Sequence, residues 1–100
     1  MNFTNGSLHI AGAPVARLIE EFGSPLYVYD RSAIERQIER VRTAFGALPL
    51  QPFYAAKANS NLTILRMIAA AGFGCDAVSP GEVFLARKAG FPARRIWFTC

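Results

Sequence analysis

Two tripeptides constrain the fold more than any other feature. Ala71-Gly72-Phe73 and Ala89-Gly90-Phe91 each close a stretch of helical apolar spacing, and a short strand-like run follows each of them. PFYAAK (52–57), CDAVS (75–79) and RIWFT (95–99) have strand composition, while LTILRMIAAAG (62–72) and PGEVFLARKAG (80–90) keep helical spacing up to a glycine. The strand centres near Tyr54, Ala77 and Trp97 lie about twenty residues apart. Apolar strands alternating with helices predict a parallel sheet covered by those helices, an α/β class. A doubly wound open sheet and a (β/α)8 TIM barrel both begin this way, and both gather chemistry at the C-terminal ends of their strands. A closed barrel takes roughly 250 residues. A 100-residue chain that stops on its third strand therefore reads as truncated, about three strands into such a fold.

Ahead of this pattern, residues 1–13 are polar and contain glycine, and are expected to form a loose leading segment. PVARLIEEFGS (14–24) reads as a short helix with Val15, Leu18, Ile19 and Phe22 on one face and Gly23 at its stop. PLYVYD (25–30) has the aromatic and β-branched content of a strand. Asp30 suits the N-cap of RSAIERQIERVRTAF, which keeps Ala33, Ile34, Ile38, Val41 and Phe45 at helical spacing and ends before Gly46 and Pro49.

Composition narrows the function classes. Hydrophobic residues make up 52% and charged residues 18%, a globular balance. The net charge of +4 and pI near 9.6 are modestly basic, but the arginines and lysines are scattered as solvated faces, so no nucleic-acid partner is expected. Cys75 and Cys100 match no metal-ligand spacing and read as reduced thiols, so no metal is expected. The N-terminus has no basic stretch leading into an apolar core, and no uninterrupted apolar run of 18 residues occurs. These features predict a soluble, cytoplasmic protein with no membrane partner.

FYAAKANSN (53–61) holds the first candidate for chemistry. Lys57 ends an apolar run at the C-terminal end of a predicted strand. It reads either as a surface charge or as an amine kept for reaction. Apolar surroundings disfavour a charged amine, and a neutral amine attacks aldehydes to form a Schiff base. Asn59, Ser60 and Asn61 suit a βα loop, with Asn61 as cap for the helix that starts at Leu62. Ser79-Pro80-Gly81-Glu82 has the spacing of a capping box, which accounts for Ser79 and Glu82 without a functional role. Asp76, an acid inside a short buried strand, needs a partner. A base on an adjacent strand or Lys57 itself could supply it, and Asp76 stands open between an ion pair and a site residue. His9 reads as a surface residue. No Walker A, GxGxxG or HExxH motif is present.

Three stretches together, SPLYVYD (24–30), FYAAKANSN (53–61) and GFGCDAVSPGEVFLARKAGF (72–91), resemble the opening of the pyridoxal-phosphate decarboxylases of the alanine-racemase fold type, and most closely the diaminopimelate decarboxylase family. The resemblance runs from about Gly23 to Thr99. It implies that residues 31–100 begin a pyridoxal-phosphate-binding (β/α)8 barrel and that residues 1–30 lend a strand, PLYVYD, to a separate β-domain. Lys57 matches the family lysine that holds pyridoxal 5'-phosphate as a Schiff base. Asp76, Ser79 and Glu82 match motif positions that the resemblance carries over as site-wall or structural residues. Cys100 stands where related sequences often have Gly after Phe-Thr.

The implied reaction is decarboxylation of meso-2,6-diaminopimelate to L-lysine and CO2, in a homodimer acting on a small amino-acid substrate. Family residues for the phosphate, the ring and its nitrogen lie on later strands, so the 100 residues alone are expected to be inactive. Ornithine- or arginine-type decarboxylases share the fold. Alanine racemase fits less well, since Ala58-Asn59-Ser60-Asn61 replaces its usual continuation after the lysine. A non-catalytic βα module that binds a partner through exposed strand edges is the reading from a different class.

Overall fold

In the computed structural model, which describes residues 1–100, Met1–Gln37 and Ile38–Cys100 form two compact units. The first unit corrects the expectation of a loose leading segment. Its strands β1 (Asn2–Thr4), β2 (Ser7–Ile10) and β3 (Ala13–Pro14) form an antiparallel meander. Both hairpins use two-residue turns, Asn5-Gly6 and Ala11-Gly12, and all four residues have positive φ. Tight hairpins of this kind match the right-handed twist of the strands. Asn-Gly is a strong signal for such a turn; Ala-Gly is a poor one, because alanine pays for the left-handed conformation. Helix α1 (Val15–Phe22) packs on β2 and β3 and stops at Gly23 with φ 80°.

The strand expected at 25–30 does not form within this chain, because no neighbouring strand pairs with these residues. Strand propensity describes fit to a pleated surface, and without a ladder partner it fixes nothing. Tyr27 and Tyr29 stay exposed. Asp30 does cap α2 (Arg31–Phe45), its carboxylate accepting from Ala33 N–H at 3.2 Å.

The second unit follows the predicted order closely. Parallel strands β4 (Phe53–Ala55), β5 (Gly74–Ala77) and β6 (Ile96–Phe98) lie side by side in sequence order, with α3 (Leu62–Ala70) and α4 (Pro80–Ala89) between them. The register pairs Phe53 with Gly74, Ala55 with Asp76, and Asp76 with Trp97. Alternation along the strands then puts Tyr54, Cys75, Ala77, Ile96 and Phe98 on one face, and Phe53, Ala55, Gly74, Asp76 and Trp97 on the other. Cys75 and Ala77 are fully buried, as are Leu65 of α3 and Ala86 of α4, so the helices cover the first face. Burying a side chain the size of Leu65 contributes about 1.5–3 kcal/mol.

The repeated Ala-Gly-Phe tripeptides perform one task twice. Gly72 and Gly90 take positive φ, 85° and 101°, where each helix ends. The following amides reach back to the last turn, Phe73 to the Ile68 carbonyl at 3.3 Å and Phe91 to the Ala86 carbonyl at 3.1 Å. This is the Schellman arrangement with its apolar residue after the glycine. Phe73 and Phe91 are both buried, so each turn ends the helix and delivers a phenyl ring to the core.

The opposite face carries a tighter constraint. The Phe53 ring lies over Gly74, and a methyl group added there would sit 2.4 Å from a ring carbon. The ring is also held against Trp97, with centroids 4.8 Å apart and planes tilted by 44°. Gly74→Ala should therefore cost about 1–3 kcal/mol, as overpacking of a closed contact does. Urea denaturation checks this, and Phe53→Leu in the same chain should recover part of the loss. An unshifted midpoint would mean that the ring yields freely.

Candidate active site

The C-terminal end of the parallel sheet is built from the loops after β4 and β5 and from Thr99 and Cys100 after β6. After β4 the chain makes one 3-10 turn, Ala56–Ala58, with Lys57 at its centre. Ala56 is fully buried and anchors the turn, whereas Lys57 is exposed. The apolar surroundings expected around the amine are therefore not formed by these residues. Lys57 makes no hydrogen bond or ion pair with the chain. Its amine is free to meet another molecule.

The loop after Lys57 is held by its own polar groups. The Tyr54 hydroxyl donates to the Asn59 carbonyl at 2.9 Å. Asn59 Oδ1 accepts from Asn61 N–H at 3.0 Å, and Asn61 Oδ1 accepts from Thr63 N–H at 3.0 Å and Ile64 N–H at 3.3 Å. Asn61 thus caps α3 as expected, and Asn59 shapes the approach to that cap.

Asp76 lies on β5 beside Ala55 and Trp97. Neither of the bases expected to pair with it does so. Its partner is the Thr99 hydroxyl, which donates to Asp76 Oδ1, while Thr99 N–H donates to the Ala77 carbonyl at 2.9 Å. Half-buried, the carboxylate can be satisfied by a hydroxyl and solvent without a cation. Ser79 performs the capping that its spacing predicts, with Oγ accepting from Glu82 N–H at 3.2 Å. Glu82 Oε2 accepts from Val78 N–H at 2.8 Å, one residue before the position a regular capping box would use. Lys57, Asp76 and Ser79 thus share one end of the sheet, but no direct bond joins them. Sequence reasoning missed Tyr54 and Thr99. Each looked like strand filling, and only the register shows where its hydroxyl goes.

A cavity of about 390 Å³, lined in part by Leu48, Leu50, Pro52 and Phe73, lies at the other end of β4. It is remote from Lys57 by strand direction, and none of the three candidate site residues lines it. No cluster of His, Cys, Asp and Glu could hold a metal ion. No helix is long and apolar enough to cross a membrane.

Residues 31–100 match the sequence model of the pyridoxal-dependent decarboxylases over their pyridoxal binding domain. The chain belongs to this family. It is 45% identical over 96 residues to a diaminopimelate decarboxylase of Methanothermobacter thermautotrophicus, covering 94% of this chain and 22% of that protein. The Bacillus subtilis diaminopimelate decarboxylase is 40% identical over 96 residues, with 94% and 22% covered. Among solved structures, the diaminopimelate decarboxylase of M. jannaschi superposes with a TM-score of 0.91 at 35% identity, over 98% of this chain and 24% of that one. The Helicobacter pylori enzyme, solved in complex with L-lysine, gives 0.78 at 38% identity, over 84% and 21%. The chain spans roughly a fifth to a quarter of the length of these relatives.

Within this decarboxylase domain the two thiols differ. Both are free, Cys75 buried and Cys100 exposed. Burial pushes the Cys75 thiol above its ordinary range, and the carboxylates of Glu82 and Asp76 add to the rise. The unfolded chain therefore gives up this proton first. Stability is full below the ordinary thiol pKa of about 8.5 and declines as pH climbs above it. Denaturation midpoints measured from about pH 8 to 10 should fall less for Cys75→Ala than for the wild type. Parallel curves would show that this thiol carries no such linkage.

Proposed function

We propose that this chain supplies the cofactor anchor of a pyridoxal-phosphate-dependent diaminopimelate decarboxylase, which converts meso-2,6-diaminopimelate to L-lysine and CO2. In this reading β4, β5 and β6 are the first three strands of a (β/α)8 barrel. Residues 1–30 form the segment that serves a β-domain, and the unpaired stretch 25–30 finds its ladder there. The working enzyme is a homodimer of longer chains.

One observation carries the reading. Lys57 presents an exposed amine, unpartnered by the chain, at the C-terminal end of a parallel sheet, at the position where the family's lysine falls in FYAAKANSN. A primary amine is the group that condenses with the aldehyde of pyridoxal phosphate, so the residue fits the cofactor. When bound, the cofactor supplies an electron sink for the carbanion left as CO2 departs.

The chain's own residues do the rest of what can be argued from it. Lys57 Nζ would hold the cofactor and, when not so engaged, would serve as the base or acid that moves a proton at the reacting carbon. The Asp76 carboxylate stands on the wall of the site with Oδ1 committed to Thr99, which leaves Oδ2 to accept a donor from a ligand. Ser79 Oγ is engaged at the start of α4, so it contributes by fixing the loop after β5.

The test is CO2 release by the natural protein that carries these residues, loaded with pyridoxal phosphate. Release from meso-diaminopimelate well above that from L-ornithine or L-arginine supports the reading, and the reverse order assigns the ornithine- or arginine-type substrate instead. Lys57→Ala should lower the rate by about 10²–10⁴-fold, the range of a positioned proton-transfer group. Undiminished turnover would remove Lys57 from the chemistry.

A further inference from the structure

The turn that bears Lys57 is fixed at both ends, and the two fixings differ. At its start, Ala55 is held in the sheet opposite Asp76. At its finish, Asn59 leaves the turn in an extended conformation, and its carbonyl receives the Tyr54 hydroxyl at 2.9 Å. Tyr54 lies three residues before Lys57, on the helix-covered face of β4, with its ring half-buried. Its hydroxyl therefore ties a rigid strand to the far side of a short turn. A 3-10 turn is a weak element, with poorer hydrogen-bond geometry than an α-helix.

We infer that Tyr54 is a positioning residue for Lys57. Its hydroxyl clamps the Ala56–Ala58 turn so that Nζ is presented in one place at the strand end. This rests on the reading of Lys57 as cofactor anchor for its consequence, but not for its geometry. The hydroxyl's bond is to the Asn59 carbonyl. It acts through the backbone of Asn59. The other polar contacts of the loop, from Asn59 and Asn61, secure the start of α3 and leave the turn itself to Tyr54.

Tyr54→Phe keeps the ring and removes only the hydroxyl, so it separates clamping from packing. Two readouts on the full-length protein decide the matter. The first is hydrogen exchange of the amides at 57–61, which needs no cofactor. It should quicken about five-fold in the variant, the effect of one neutral hydrogen bond, while protection in β5 and α4 is unchanged. The second is the rate at which pyridoxal phosphate is captured at Lys57. Condensation of Nζ with the aldehyde expels one water, and borohydride hydride then reduces the C=N bond. Capture should slow by about the same factor.

Unchanged exchange at 57–61 overturns the clamp. Faster exchange with unaltered capture also overturns it, because the hydroxyl then serves only local stability. If the wild type captures no cofactor at Lys57, the proposed function fails on its own account, and exchange alone decides whether Tyr54 fixes the turn.

Discussion

Burial of β5 between two unlike faces is the constraint on which the second unit depends. On one side Cys75 and Ala77 are fully buried beneath α3 and α4. On the other, Gly74 admits the Phe53 ring so closely that any side chain there must displace it. The small residues of GCDA thus let the helices approach β5 on one face and the Phe53 ring of β4 cross it on the other. Because β5 pairs with both neighbours, its position also sets the heights at which Lys57 and Thr99 emerge.

The sheet's C-terminal end divides into fixed and free groups. Ser79, Glu82, Asn59 and Asn61 are all spent on backbone amides, and Thr99 is spent on Asp76. Lys57 keeps its whole head group uncommitted, and Asp76 keeps only Oδ2. An exposed amine is hydrated by solvent, so its freedom is no defect of the fold. The chemistry proposed for it depends on the backbone that carries it, which the strand, the buried Ala56 and the Tyr54 hydroxyl together hold.

Much of the second unit is legible in the sequence because its signals are local. Gly72 and Gly90 each combine a helix stop with a left-handed conformation, and Ser79 and Asn61 stand one residue before their helices. Lys57 stands out at the end of an apolar run, but that place alone leaves it open between a surface charge and a reactive amine, and only the resemblance of FYAAKANSN to the family motif singles it out. What the sequence conceals is what depends on pairing. PLYVYD has strand composition but no partner in this chain, whereas MNFTNGSLHI looks polar and forms a meander through its Asn5-Gly6 turn. Asp76 required a partner, yet choosing Thr99 over a base needs the register of β6 against β5. Tyr54 escapes notice for the same reason, since its bond runs to a backbone carbonyl that no side-chain pattern reveals.

The central claim is that Lys57 carries the cofactor, and the most direct measurement is to find where the cofactor is attached. The natural protein would be isolated with its cofactor, reduced with borohydride, digested, and its peptides weighed. The account predicts a pyridoxyl-phosphate mass addition on Lys57, in the peptide that contains FYAAKANSN, with Lys88 unmodified. A modification found on another lysine, with Lys57 bare, would contradict it.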